Sequence, residues 1–212
     1  MKDLHEYIKS LGFSLPNPVN EQLLQMAFTH KSFSMDAPHD KIPHNERLEF
    51  LGDSVLGMIV ADELYKMYPD VAESQLTLMK IQLVKEPTLA TVARKINLGE
   101  HIRLGRGEDK TGGAQKDAIL SDMLESLIGY LYIDQGRTTV ASFVKTYIIA
   151  ELALGEDGAV KSFKSLLQEL VQQLHKDIPV YQDIELHVEP TGNVTLYGSD
   201  VFVNGVMVGH GE

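Results

Sequence analysis

The sequence predicts a mainly α-helical chain: an all-helical domain over residues 1–154, a linker at 155–160, and a small α+β unit over 161–212. Three observations support this. Apolar residues recur at helical spacing through the first 150 or so positions, Pro16, Pro18, Pro69 and Pro87 punctuate those runs, and strand-like alternation takes over near the end. With 212 residues and 43% hydrophobic content, the chain can bury a sizeable core. No stretch approaches the roughly 20 apolar residues needed to cross a bilayer, and the mixed-charge start MKDLHEYIKSLG is unlike a signal peptide. A cytoplasmic protein without a membrane partner is expected. The absence of cysteine rules out disulfides and thiolate metal sites. A net charge of −11 argues against a broad basic surface, so any contact with a polyanion must come from local clusters.

In chain order, Leu4, Tyr7, Ile8 and Leu11 form an amphipathic helix that Gly12 ends, and Asn20 caps a short helix through Ala27. His30 and Lys31 follow as candidate phosphate contacts, against the alternative that His30 is a capping or core histidine. Met35 to His44 reads as a surface loop, with Asn45 as the N-cap of a central helix running to about Met67. That helix carries Glu46, Glu49 and Asp53 at i, i+3 and i+7, one acidic stripe on an element whose other faces are apolar. It is expected to be buried nearly all round.

Helices are expected over Glu73 to Lys85 and from Pro87 to a stop at Gly99. Residues 103–116, with four glycines and the cations Arg103, Arg106, Lys110 and Lys116, read as a loop suited to phosphate-backbone contact. A second apolar helix, about 120–134, repeats the acidic device with Asp122 and Glu125 at i, i+3 and places Gly129 on the same face, leaving room for close approach. A last helix spans about Thr138 to Leu152. Carboxylates from two apolar helices, without cysteine, make a hard-oxygen site suited to Mg²⁺ or Mn²⁺. For either pair alone, a solvated acidic face is the alternative.

Beyond the linker, Phe163 to Leu174 is an amphipathic helix, and strands at 181–188 and 201–207 flank an Asn204-Gly205 turn. From Glu156 onward there are three lysines and nine acids, opposite in sign to what phosphate binding needs.

NERLEFLGDSVL (45–56) resembles the signature of the bacterial ribonuclease III family, as do HKSF (30–33), GEDKTGG (107–113) and ILSDMLESLIG (119–129), in consistent order over about residues 1–153. The resemblance implies a metal-dependent endoribonuclease that cuts double-stranded RNA, leaving 5′-phosphate and 3′-hydroxyl ends, in rRNA or mRNA processing. It implies Glu49, Asp53, Asp122 and Glu125 as ligands of Mg²⁺, Asp53 and Glu125 as catalytic, and Glu46 and Glu73 as supporting acids. His30, Lys31, Arg106, Lys110 and Lys116 would be RNA contacts. A two-fold homodimer is expected, because a duplex needs two cuts, with Phe50 as a contact across the axis. The C-terminal unit resembles a double-stranded-RNA-binding domain, α-β-β-β without the final helix. A non-catalytic RNA-binding relative with the same fold and a purely structural helical dimer are the alternative classes.

Overall fold

A computed structural model of the chain describes residues 3–15, 19–36, 42–152, 163–175, 177–188 and 194–211. Two compact units emerge, Met1–Ala153 and Leu154–Glu212. The expected linker, residues 37–41 of the expected Met35–His44 loop, and residues 189–193 lie outside the described residues.

The first unit is helical. Short helices α1 (Leu4–Ser10), α2 (Glu21–Ala27) and α3 (Lys31–Asp36) precede the long α4 (Glu46–Met67). Then come α5 (Glu73–Val84), α6 (Glu86–Lys95), α7 (Arg106–Lys110), the long α8 (Asp117–Gln135) and α9 (Arg137–Phe143). Asp3 caps α1 through its side chain, and Asn20 caps α2 by accepting from the Leu23 N–H at 3.1 Å. Asn45 precedes α4 but does not cap it with its side chain. Its backbone is already helical at φ −64°, ψ −27°, whereas a capping side chain needs an extended backbone to fold back onto the first amides.

The core lies between α4 and α8. Leu48, Val55, Leu56, Ile59, Val60 and Leu64 of α4 are buried, against Leu120, Met123, Leu124, Leu127, Ile128 and Leu131 of α8. Each such side chain contributes about 1.5–3 kcal/mol relative to exposure. The burial of α4 is one-sided. Phe50, Asp53, Ser54, Met58, Ala61 and Tyr65 are exposed, so the expectation of burial nearly all round is corrected: the apolar residues outnumber those the core can take.

Three further expectations are revised. The chain leaves α6 at Lys95 and turns at Asn97, which has φ +55°; Gly99 lies within the 3₁₀ turn Leu98–His101, where a Cβ would stand 2.5 Å from the Ala114 carbonyl oxygen. Residues 103–116 are not an open loop but contain α7 and a 3₁₀ turn at Gly113–Gln115. The last helix is α9 continued by a π-helical turn, Val144–Ile148, and a 3₁₀ turn, Ile149–Glu151. The wider turn keeps Phe143, Val144, Ile148 and Ile149 all on the core, which an uninterrupted 3.6-residue period would not.

The second unit has helix α10 (Phe163–His175) and an antiparallel sheet, β1 (Val180–Val188), β2 (Val194–Val203) and β3 (Val206–Gly211), in that order. Asn204 and Gly205 both take positive φ, +50° and +76°, as a tight hairpin matched to strand twist requires. β2 begins well before the expected strand, because its stretch Gly198-Ser199-Asp200 lacks apolar alternation yet pairs with β1 throughout and, at Ser199 and Asp200, with β3 as well.

Candidate active site

The site is set by how closely α4 and α8 cross. A Cβ on Gly52 would collide with the carbonyl oxygen of Glu125, and one on Gly129 with that of Leu48. The two helices therefore meet backbone to backbone, antiparallel, at a pair of glycines. The room expected at Gly129 is present. Its counterpart Gly52 was not singled out from the sequence, although it lies inside the acidic stripe where a helix-weakening residue needs a reason.

This crossing brings together Glu49, Asp122 and Glu125, each offering a carboxylate oxygen within 4.8 Å of the others. All three are partly buried. Burial, then repulsion from Asp53, Asp122 and Glu49, pushes the Glu125 carboxyl up to about 8. Glu49 is pushed up to about 7, by burial first and then by Asp122 and Glu46. Asp122 is also raised, by burial and then by the charge of Glu86. Asp53, the fourth expected ligand, is exposed and stands outside that tight group, although its charge acts on Glu125.

Such a set fits a divalent cation. Two carboxyls that keep protons near neutral pH are held in a geometry unfavourable to three free negative charges, and oxygen-only donors suit a hard ion, which would displace those protons. Glu86, exposed at the start of α6, belongs to this electrostatic neighbourhood but was not a candidate; before Pro87 it reads only as a favourable first-turn acid.

The supporting residues divide. Glu46 is ion-paired to Lys31 at 3.0 Å, which holds its carboxyl below the usual range. Glu73 opens α5 and accepts from the Thr77 hydroxyl at 2.8 Å. His30 is buried. Its Nδ1 stands 2.8 Å from Ser32 Oγ and accepts from the Ser32 N–H at 3.3 Å, while the same hydroxyl oxygen accepts from the Gly105 N–H at 2.9 Å. Because Nδ1 already accepts from the Ser32 N–H it carries no proton, so the Ser32 hydroxyl donates to it, and the proton of the neutral ring sits on Nε2. Burial lowers the His30 pKa, which favours that neutral form. Among the cations, Lys116 is tied to Glu108 at 2.6 Å, Arg106 lies 3.7 Å from Asp36, and Lys110 is exposed with no ion pair among the described residues.

Asp36 also accepts from the Arg106 N–H at 2.7 Å, so α3 clamps the N-terminus of α7. Sequence alone gave no signal for that clasp, since Ser32 and Asp36 lie 70 or so positions away from their partners.

The ribonuclease-III-like family model matches residues 20–152. Over its full 212 residues the chain is 38% identical to Ribonuclease 3 of Listeria innocua and covers 90% of that protein. This chain belongs to the ribonuclease III-like family. It is accordingly an endoribonuclease, of a family that acts on double-stranded RNA. The nuclease domain of ribonuclease III from Campylobacter jejuni superposes with a TM-score of 0.64 at 33% identity, covering 74% of this chain and all 100% of that one. A second structure of the same C. jejuni domain, notable for flexibility in a region involved in dimer formation, gives a TM-score of 0.62 at 34% identity, covering 69% and 96%. Among the described residues, no helix is long and apolar enough to cross a membrane.

Proposed function

We propose that this ribonuclease III-like chain hydrolyses phosphodiester bonds of double-stranded RNA with Mg²⁺, or Mn²⁺ in its place, held by Glu49, Asp122 and Glu125 and completed by Asp53. The observation that carries this reading is the three-carboxylate group at the glycine crossing, with two of its members' pKa values raised to about 7 and 8. A bound divalent ion would make water nucleophilic at neutral pH and stabilise charge on the phosphate and the leaving oxygen. Glu125, the most strongly perturbed of the acids, gives up its proton to become a ligand and, with Asp53, is the catalytic pair of this proposal. Glu46 keeps Lys31 beside the stripe, and Glu73 is a supporting acid on α5. In-line attack by water leaves 5′-phosphate and 3′-hydroxyl ends, the ends suited to a processing role on rRNA or mRNA precursors in the cytoplasm.

Residues 1–154 act as the endonuclease domain and 161–212 as a double-stranded-RNA-binding-like unit, joined at 155–160. His30, Lys31, Arg106, Lys110 and Lys116 contribute RNA contacts; Lys110 keeps an exposed ammonium without an ion pair among the described residues, whereas Lys31 and Lys116 first have to loosen from Glu46 and Glu108.

The working form is a two-fold homodimer, which supplies one site for each strand. Support comes from the exposed apolar side of α4, where Phe50 is 79% exposed and Met58 and Tyr65 are exposed as well, and from an adjoining hollow of about 650 Å³ walled by Leu23, Met26, Leu51 and Ile133. The deciding experiment is incubation with a long RNA duplex with and without Mg²⁺ and EDTA, resolved on a gel. Mg²⁺-dependent conversion to short duplexes is expected; cleavage of single-stranded RNA alone, or none, would overturn the proposal.

A further inference from the structure

Arg103 differs from most other cations of the helical unit. Lys31, Arg106, Lys116 and several more stand against carboxylates, whereas Arg103 has no carboxylate within 4.0 Å among the described residues. It is nevertheless held in place. Its guanidinium carbon lies 4.2 Å from the centre of the Phe33 ring, and Nη1 donates to Thr29 Oγ1 at 3.4 Å. The backbone is fixed too. The Arg103 N–H donates to the Phe28 carbonyl at 2.8 Å, and its carbonyl accepts from the His30 N–H at 3.0 Å, an isolated parallel bridge. The side chain is half-buried at one wall of a notch of about 200 Å³, which also takes the exposed side chains of Gln22 and Gln25.

A half-buried guanidinium, pre-ordered by an aromatic face and left without an acid in a chain of net charge −11, is arranged for an anion from outside. Two positions along from Thr29, Lys31 reaches Glu46 of the acidic stripe, so a short stretch of chain and one ion pair link the notch to that stripe. The stripe repels a polyanion, and a cation held in place on the same helical unit offsets part of that repulsion.

We propose that Arg103, laid on Phe33 beside Gln22 and Gln25, is a backbone-binding subsite for duplex RNA: the guanidinium takes a phosphodiester and the amides take the neighbouring ribose 2′-hydroxyl. The subsite rests on the proposed RNA-cleaving function. Its chemistry suits the wide, shallow minor groove of an A-form duplex, where 2′-hydroxyls and phosphates are presented together, and the neutral amides supply the preference for RNA over DNA.

The test uses the full chain in EDTA, with binding to a long RNA duplex and to the matching DNA duplex measured across a range of KCl. Arg103→Gln should weaken RNA binding by about tenfold at moderate salt and reduce the slope of log affinity against log salt by about one. Arg103→Lys should keep the slope and lose at least about twofold in affinity, because an ammonium lacks the stacked fork. The double change Gln22→Leu with Gln25→Leu should weaken RNA binding, leave the slope intact and leave DNA binding unchanged, whereas Lys145→Gln, a cation already paired to Glu63, should change neither. A folded Arg103→Gln chain with unaltered slope and affinity overturns the subsite. If Arg103→Gln does not fold, Arg103→Lys with undiminished affinity does the same. An unsubstituted chain that neither binds nor cleaves duplex RNA overturns the function itself; one that cleaves while these variants bind normally overturns only the subsite.

Discussion

Glu125 concentrates the chemistry of the chain in one carboxyl. Glu125→Gln keeps shape but offers a far poorer ligand to a hard cation, so duplex cleavage should fall by roughly two orders of magnitude or more, about 2.7 kcal/mol of transition-state stabilisation, while RNA binding survives. Glu6→Gln, on an exposed acid of α1 paired to Lys9, is the matched control and should leave the rate unchanged. Glu108 would be a poor control, because it holds Lys116 and its side chain packs beneath Gly113. The raised carboxyls also make stability depend on pH. Between their ordinary value of 4.5 and about 7 to 8, the metal-free folded state keeps protons on Glu49 and Glu125 that the unfolded chain releases. Their contribution is therefore full below about pH 4.5 and is lost as pH rises towards 8. His30, with its lowered pKa, acts in the opposite sense around its ordinary 6.5. Urea midpoints in EDTA should show Glu125→Gln gaining stability relative to the unsubstituted chain as pH climbs through that window, since His30 is common to both. A constant difference would contradict the assignment, and added Mg²⁺ should erase most of the unsubstituted chain's loss.

At the scale of elements, the α4–α8 crossing is the feature on which the site depends. Gly52→Ala puts a methyl group into the Glu125 carbonyl, where main chain rather than a flexible side chain has to give way, and should destabilise by on the order of 3 kcal/mol. Gly57→Ala, in the same helix but with only the Lys80 side chain 3.7 Å away, should be neutral or slightly stabilising, and thermal unfolding of the two variants separates the cases. The helices themselves were legible because 3.6-residue periodicity, prolines and caps all acted locally: α4 ends at Met67 and α5 begins at Glu73 as the sequence predicts. The carboxylate stripe was legible for the same reason. What was hidden depends on partners distant in sequence. Gly52 shows its role only once Glu125 is beside it, Glu86 only once α6 lies near Asp122, and the clasp of Ser32 and Asp36 only once α7 is docked. Residues 103–116 were misread as a loop because four glycines outweigh helix propensity in a local reading, whereas the clasp supplies the missing stabilisation from outside.

For the whole molecule, the exposed side of α4 leads to a prediction about assembly. Phe50→Asp removes a large apolar contact and adds charge to a surface proposed to meet its own copy, so sedimentation at micromolar concentration should shift from a dimer to the 23.6 kDa chain, with duplex cleavage reduced. If the unsubstituted chain itself sediments only at 23.6 kDa, the dimer is wrong.

The glycine crossing has a bearing on how freely the rest of the core can drift. Because Gly52 meets the Glu125 carbonyl and Gly129 the Leu48 carbonyl, the spacing between the two halves of the acidic site is set by main chain against main chain, with no side chain acting as the spacer. Exchanges such as Ile59→Val or Leu127→Met alter packing on either side of the contact without acting as shims between the carboxylates. The chain can therefore accumulate many such substitutions, losing a few tenths to about 1.5 kcal/mol at a time, before its site geometry changes. Robustness of this kind separates the tolerance of the scaffold from the intolerance of the two small residues that register it.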